Sequence, residues 1–222
     1  MSDRFLSRRH VMRGGAVLSA SAALAGAQLL KPVPALAAVP EPEIHSTASW
    51  GARPPTRNEI LNYRPTYIVI HHTATSNDVP TTIERAYDLA RGIQNYHMDQ
   101  GWGDSGQQFT TSRGGFILEG RHNSLDTLRE GTRFVRGIHA GNSDANANSI
   151  GIENEGTYTS GSPPQWEAMV HLCAYLCTQY GIPATQLFGH RQYSSTSCPG
   201  DGLYGMLPQL RQDVQTFIDD NG

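Results

Sequence analysis

The stretch Tyr67-Ile68-Val69-Ile70-His71-His72-Thr73-Ala74 sets the architecture. Thr66 to His71 is a β-branched, apolar run of strand length. No polar residue alternates through it, which predicts a strand buried on both faces, inside a sheet covered by helices. His71 and His72 close the run, and adjacent residues of a strand point to opposite faces. Only one of the two can therefore turn towards a given metal ion. Two more donors come later, His190 in Gly189-His190-Arg191 and Cys198 in Thr196-Ser197-Cys198-Pro199-Gly200. Their segment is too rich in Ser, Gly and Pro for helix or central strand, so it reads as an ordered loop. Two imidazoles and a thiolate, from His71, His190 and Cys198, form the donor set of an open zinc site. H-E-x-x-H, C-x-x-C and H-x-H patterns are absent.

Working outward, Thr81-Thr82-Ile83-Glu84 reads as a capping box opening a helix that stops at Gly101. Ile83, Tyr87, Ala90, Ile93 and His97 repeat at helical spacing and predict its inner face. Residues 107–120 read as a β-hairpin turning at Arg113-Gly114-Gly115. Arg121 to Arg136 has no clear pattern, and His139 to Asn148 reads as a long Gly/Asn/Asp loop. In Ser149-Ile150-Gly151-Ile152-Glu153 strand parity sets Ile150 and Ile152 on one face and Glu153 on the other. Ser162-Pro163-Pro164 is expected to open a second helix, which Gly181 ends. A last helix starts near Pro208. The alternation of strands and helices predicts one α/β domain with a central mixed sheet flanked by helices, its metal site in a groove at the strand ends.

Arg8-Arg9 in Ser7-Arg8-Arg9-His10-Val11-Met12-Arg13 precedes an apolar run and Ala35-Leu36-Ala37. Residues 1–37 thus read as a twin-arginine signal peptide, 38–46 as a Pro-rich linker and 47–222 as the domain. The apolar run is Ala/Gly/Ser-rich and short of the roughly 20 strongly apolar residues of a membrane span. Export implies a secreted or cell-wall-associated protein with no stable membrane span after cleavage. Residues 1–37 hold five basic side chains and one acidic, which leaves 12 basic and 19 acidic residues beyond them. That acidic balance argues against nucleic acid or anionic lipid as a partner. Lys31 is the only lysine, so the domain has no lysine nucleophile. Cys173 and Cys177 lie four apart on one helical stripe, where two buried thiols are expected rather than a bridge.

Several motifs occur in order: Trp50-Gly51-Ala52-Arg53-Pro54, Ile70-His71-His72-Thr73-Ala74, Tyr96-His97-Met98, Gly101-Trp102-Gly103-Asp104, Glu119-Gly120-Arg121, His139-Ala140-Gly141, Asn148-Ser149-Ile150-Gly151-Ile152, Gly189-His190-Arg191 and Thr196-Ser197-Cys198-Pro199-Gly200. Together they resemble the superfamily of peptidoglycan recognition proteins and zinc-dependent N-acetylmuramoyl-L-alanine amidases, as a bacterial, secreted member. The resemblance covers nearly all of residues 47–222. It implies Zn2+ on His71, His190 and Cys198, and peptidoglycan or muropeptides as the bound partner. It also implies hydrolysis of the amide between the lactyl group of N-acetylmuramic acid and L-alanine. His97, Trp102, Arg121, His139 and Asn148 fall in the shared motifs and are the expected substrate-binding residues.

Two positions depart from the pattern. Gln107 stands where many active members have a tyrosine, and an amide cannot serve as acid or base. Ile150-Gly151-Ile152-Glu153 resembles instead the anhydro-muramyl-peptide amidases, in which the glutamate of this strand is the general base; Glu153 is therefore the expected base. Thr196 replaces a lysine found in some amidases and is expected to donate one hydrogen bond to the oxyanion. A module that binds peptidoglycan without cutting it is the alternative. Cys198 favours the enzyme, because non-catalytic members typically lack that ligand; Gln107 favours the binder.

Overall fold

A computed structural model describes residues 39–222; the proposed signal peptide lies outside the described residues. The apolar run becomes β3 (Tyr67–His72), covered on both faces as its composition demands. It is one of six strands in the main sheet: β1 (Ile44–His45), β3, β4 (Phe109–Thr111), β5 (Ile117–Glu119), β7 (Ser149–Asn154) and β8 (Leu187–Gly189). Their order is β1-β5-β4-β7-β3-β8, parallel throughout except for the β4–β5 hairpin. β2 (Ile60–Leu61) and β6 (Phe134–Val135) form a separate antiparallel pair.

Helices cover both faces because the strands are apolar on both. On one side α4 (Trp166–Tyr180) and α6 (Leu207–Asn221) pack over Ile68, Ile70, Ile150 and Ile152. Each fully buried isoleucine stabilises the domain by roughly 1.5–3 kcal/mol. On the other side α1 (Ile83–Asp99) packs Ala86 and Ala90 against Trp50 and Leu118. In β5, Ile117 joins the first cluster and Leu118 the second, so one strand samples both layers. Among the described residues no helix is long and apolar enough to cross a membrane.

The observed elements differ from the sequence reading in several places. The segment 38–46 read as linker carries β1, parallel to β5, and buries Val39 in the α4–α6 layer. The polar stretch after Arg121 holds α2 (Ser124–Glu130), and the Gly/Asn/Asp loop closes in a short helix, α3 (Ser143–Asn148), capped by the Asn142 side chain. α1 is capped by Thr82, whose hydroxyl accepts the Arg85 N–H, one residue later than the capping box implied. Finally, the buried stripe of α1 is Ala86, Leu89, Ala90 and Gln94; Ile93 and His97 instead border a groove. Ala86 and Ala90 let α1 approach the sheet, while Ile93, Tyr96 and His97 shape the opening beside it.

Candidate active site

β3 and β7 lie side by side with His71 opposite Glu153. Because Ile68, Ile70, Ile150 and Ile152 occupy the α4–α6 face, strand parity sends His71 and Glu153 to the α1 face. His71 Nδ1 and Glu153 Oε1 are 3.9 Å apart. β8 flanks β3 on the other side and ends at Gly189, which delivers His190 beside His71 with ring centroids 4.4 Å apart.

Cys198 arrives from the loop after a 3-10 turn over His190–Gln192. The Arg191 backbone N–H donates to the Cys198 carbonyl at 3.1 Å, while its guanidinium bonds the Ser197 carbonyl and the Asp201 carboxylate. Gly200 turns the chain at φ 89°, and a Cβ there would overlap the Tyr158 carbonyl oxygen; only glycine fits that turn. Cys198 Sγ comes to rest 3.7 Å from His71 Nδ1 and accepts the His72 backbone N–H at 3.4 Å.

The donor set fits a zinc ion. One ligand atom each from His71, His190 and Cys198 lie within 4.8 Å of one another. Tetrahedral bonds of about 2.1 Å to nitrogen and 2.3 Å to sulfur need donors roughly 3.4–3.7 Å apart. The Sγ–Nδ1 distance is already there. His190 Nε2 is buried without a hydrogen-bond partner, a lone pair aimed at no protein donor.

Electrostatics agree. Burial pushes the Cys198 thiol up to about 12, and Glu153 adds to that against the His72 N–H. Burial also lifts the Glu153 carboxyl to about 8. His71 is held well below its usual value, first by burial and then by the neighbouring His139, His190 and His72. Protein groups alone thus favour a neutral thiol, acid and imidazole. A divalent cation held by His71, His190 and Cys198 would supply the charge to reverse this and ionise thiol and carboxyl together.

Residues 61–201 match the N-acetylmuramoyl-L-alanine amidase family, Amidase_2. The chain belongs to this family. Over 172 residues it is 31% identical to the human N-acetylmuramoyl-L-alanine amidase, covering 75% of this chain but only 28% of that longer protein. It is 34% identical over 168 residues to peptidoglycan-recognition protein SC2 of Drosophila simulans, covering 74% of this chain and 84% of the relative. Among solved structures it resembles Drosophila PGRP-LB, with a TM-score of 0.63, 30% identity, and coverage of 74% of this chain and 92% of that one. A variant of PGRP-LB has been solved in complex with tracheal cytotoxin. The relatives of this Amidase_2 chain therefore include both named amidases and recognition proteins.

Seen in this Amidase_2 chain, the expected site residues separate into two groups. His71, His190, Cys198, Glu153, Thr196, His97, Trp102 and His139 all line one cavity of about 310 Å³. Thr196 is exposed; its oxygen accepts the Cys198 N–H at 3.2 Å, which leaves the hydroxyl hydrogen free to donate inward. His97 stacks on Trp102 at 4.4 Å, and its Nδ1 accepts the Gly106 N–H. That bond keeps the ring neutral with Nε2–H outward, and burial, with Arg121 adding and Asp104 opposing, lowers His97 to about 4. Gln107 also lines the cavity, its Nε2 bonded to Thr110 and its Oε1 without a partner.

Arg121 and Asn148 are not in this cavity. Arg121 is 2% exposed and donates to the Ser105, Arg57 and Trp102 carbonyls; it braces the Trp102 loop and borders a separate cleft with Arg57 and Arg136. Asn148 ends α3 at the start of β7, five residues from Glu153; at about 3.3 Å per residue that is roughly 16 Å away. Its amide bonds the Asp144 carbonyl. The sequence reading also set His72 aside. Its ring is outside the triad, but its backbone N–H reaches Cys198 and its side chain borders the cavity. No side-chain pattern signals a backbone donor.

Proposed function

We propose that the chain is an exported zinc amidase that hydrolyses the bond between the lactyl carbonyl of N-acetylmuramic acid and the amine of L-alanine. The observation that carries this reading is Glu153, set beside His71 by strand register, with Oε2 buried and unpartnered at the edge of the triad. A carboxylate without a structural partner, next to a cation site, is free to handle protons.

His71, His190 and Cys198 would hold the zinc. When bound, zinc supplies Lewis-acid polarisation of the carbonyl and acidifies a water molecule. Glu153 takes a proton from the attacking water as the new C–O bond forms. The Thr196 hydroxyl donates to the carbonyl oxygen as that oxygen gains charge. Glu153 then gives its proton to the alanine nitrogen as the C–N bond breaks, releasing a carboxylic acid and an amine, and the acid proton passes to the amine so that they leave as carboxylate and ammonium. The stem peptide has room to extend into an adjoining groove of about 390 Å³, which shares His72, His97 and Glu153 with the site and continues along Ile93 and Tyr96 of α1. His97 offers its Nε2–H and Trp102 a flat face at the junction.

The deciding experiment loads the protein with zinc, digests purified peptidoglycan of the diaminopimelate and lysine types, and assays new L-alanine amino termini. Release from either wall supports the amidase. Binding to the wall without new termini sinks it and establishes the second reading, a recognition module, which Gln107 favours because an amide moves no proton. Export is tested separately: replacing Arg8 and Arg9 by lysine should retain the protein in the cytoplasm of the producing cell.

A further inference from the structure

We infer that His139 and Ser149 are positioning residues that hold His71 in its Nε2–H tautomer, leaving the Nδ1 lone pair for the metal triad. The inference rests on the reading of His71 as a ligand. It begins from His139, an 8% exposed imidazole whose Nδ1 lies 3.0 Å from His71 Nε2, with the rings edge to face at 85°. One proton is shared across that contact, so one ring donates and the other accepts. If His139 donates, His71 keeps its proton on Nδ1, the atom nearest Cys198, and cannot ligate through it.

The far side of His139 decides between the two. Its Nε2 lies 3.4 Å from Ser149 Oγ. Ser149 Oγ is also 2.6 Å from the Ala145 carbonyl oxygen, which only accepts, so the hydroxyl hydrogen is committed there. Oγ has only a lone pair left for His139, and His139 must therefore carry its proton on Nε2. Its Nδ1 is then an acceptor, and His71 donates from Nε2. The result is a directed chain from an α3 carbonyl, through a hydroxyl and two imidazoles, ending in a bare Nδ1 that lies 3.7 Å from Cys198 Sγ. A ligating histidine fixed through its second nitrogen is held in orientation as well as tautomer.

The fold also packs closely around the His139 ring. A Cβ on Gly151 would lie 2.5 Å from His139 Cγ, and one on Gly137 would overlap His139 Cδ2. The ring is thus clamped between two glycines whose lack of a side chain makes its berth. From behind, the backbone N–H groups of His139 and Ala140 both donate to Asn146 Oδ1 at 2.9 Å. Gly151 sits in β7 on the same face as Glu153, so the strand that carries the proposed base also makes space for the relay.

The test reads tautomers directly. Long-range proton–nitrogen spectra of the nitrogen-15-labelled full chain, stripped of metal, should show both His71 and His139 as Nε2–H. Ser149→Ala should convert His71 to a mixture of tautomers and weaken zinc about 10-fold in competition with a chelator; Gly151→Ala should weaken it about 10- to 100-fold. His139→Asn, which can place an amide oxygen at the Nδ1 position, should bind zinc more tightly than His139→Ala. Val170→Ala, which destabilises the α4 layer, should leave zinc affinity at the wild-type value. A wild-type His71 protonated on Nδ1 overturns the inference. So does wild-type zinc affinity in both Ser149→Ala and Gly151→Ala, or a loss in Val170→Ala as large as theirs. If the wild type binds no zinc, the metal reading fails, and the metal-free spectrum still decides the tautomer.

Discussion

Cys177 in the α4 layer and Cys198 in the strand-end pocket have the same nominal acidity: burial pushes each thiol up to about 12. Their surroundings share nothing else. Cys177, with Cys173 one turn away, belongs to the apolar cluster that includes Leu172, Leu176 and Tyr180. Cys198 faces His71, the His72 N–H and Glu153. The comparison teaches that a raised thiol is a statement about water, while chemistry is a statement about neighbours. In hydrocarbon the thiol stays a small apolar filler. In the pocket it belongs to a set of groups that a single cation would ionise together.

Substitutions on the two sides should therefore part company. Cys198→Ala is expected to abolish zinc retention and turnover together, read by metal analysis and the amino-terminus assay, whereas Cys177→Ala should keep both. Glu153→Gln should retain zinc and lose about 10²–10⁴-fold in turnover; unchanged turnover would remove Glu153 from the mechanism. Thr196→Val should cost about 10²–10³-fold in kcat, near 2.7–4 kcal/mol of barrier, with zinc affinity kept. Cys173→Ser should lower stability by about 1–3 kcal/mol, measured by denaturant unfolding, because it buries a hydroxyl among apolar groups. Its activity per folded molecule should be wild type, and a drop would break the contrast.

A smaller effect separates the regions by pH. His97 has its folded pKa near 4, below the 6.5 of the unfolded chain. Between those values the unfolded state binds more protons, so this contribution to stability is intact above pH 6.5 and lost as pH falls towards 4. About 3 kcal/mol is at stake, at roughly 1.4 kcal/mol per pKa unit. His97→Gln should flatten the unfolding profile over that window, while the α4 thiols leave it unchanged.

The sheet was legible from the chain because β3 and β7 carry their own patterns: an unbroken apolar run, and an isoleucine alternation that set Glu153 opposite the core. His71 was legible because it closes the β3 run, and His190 and Cys198 because they share one Ser/Gly/Pro-rich loop. β1 was not, since two residues gain strand geometry only by pairing with β5. α3 was hidden because six residues of Ser, Asp, Asn and Ala show no apolar period. Arg121 and Asn148 were misplaced for a different reason. A motif says that a residue matters without saying which way it faces, and both are committed to backbone carbonyls. Ser149 lay unseen inside a strand, its role fixed by a helix end it does not belong to.

The strand order has a consequence for how long the site stays assembled. His71 and Glu153 ride on β3 and β7, inner strands paired on both sides, while Cys198 hangs from a loop with Ser195, Thr196 and Ser197 exposed. Hydrogen exchange should be slowest at the two strands and fast along the loop. An ion held by all three ligands would then be gated at one door: its residence time follows the opening rate of the Cys198 loop, and the imidazole half of the site waits, already formed, for the thiolate to return.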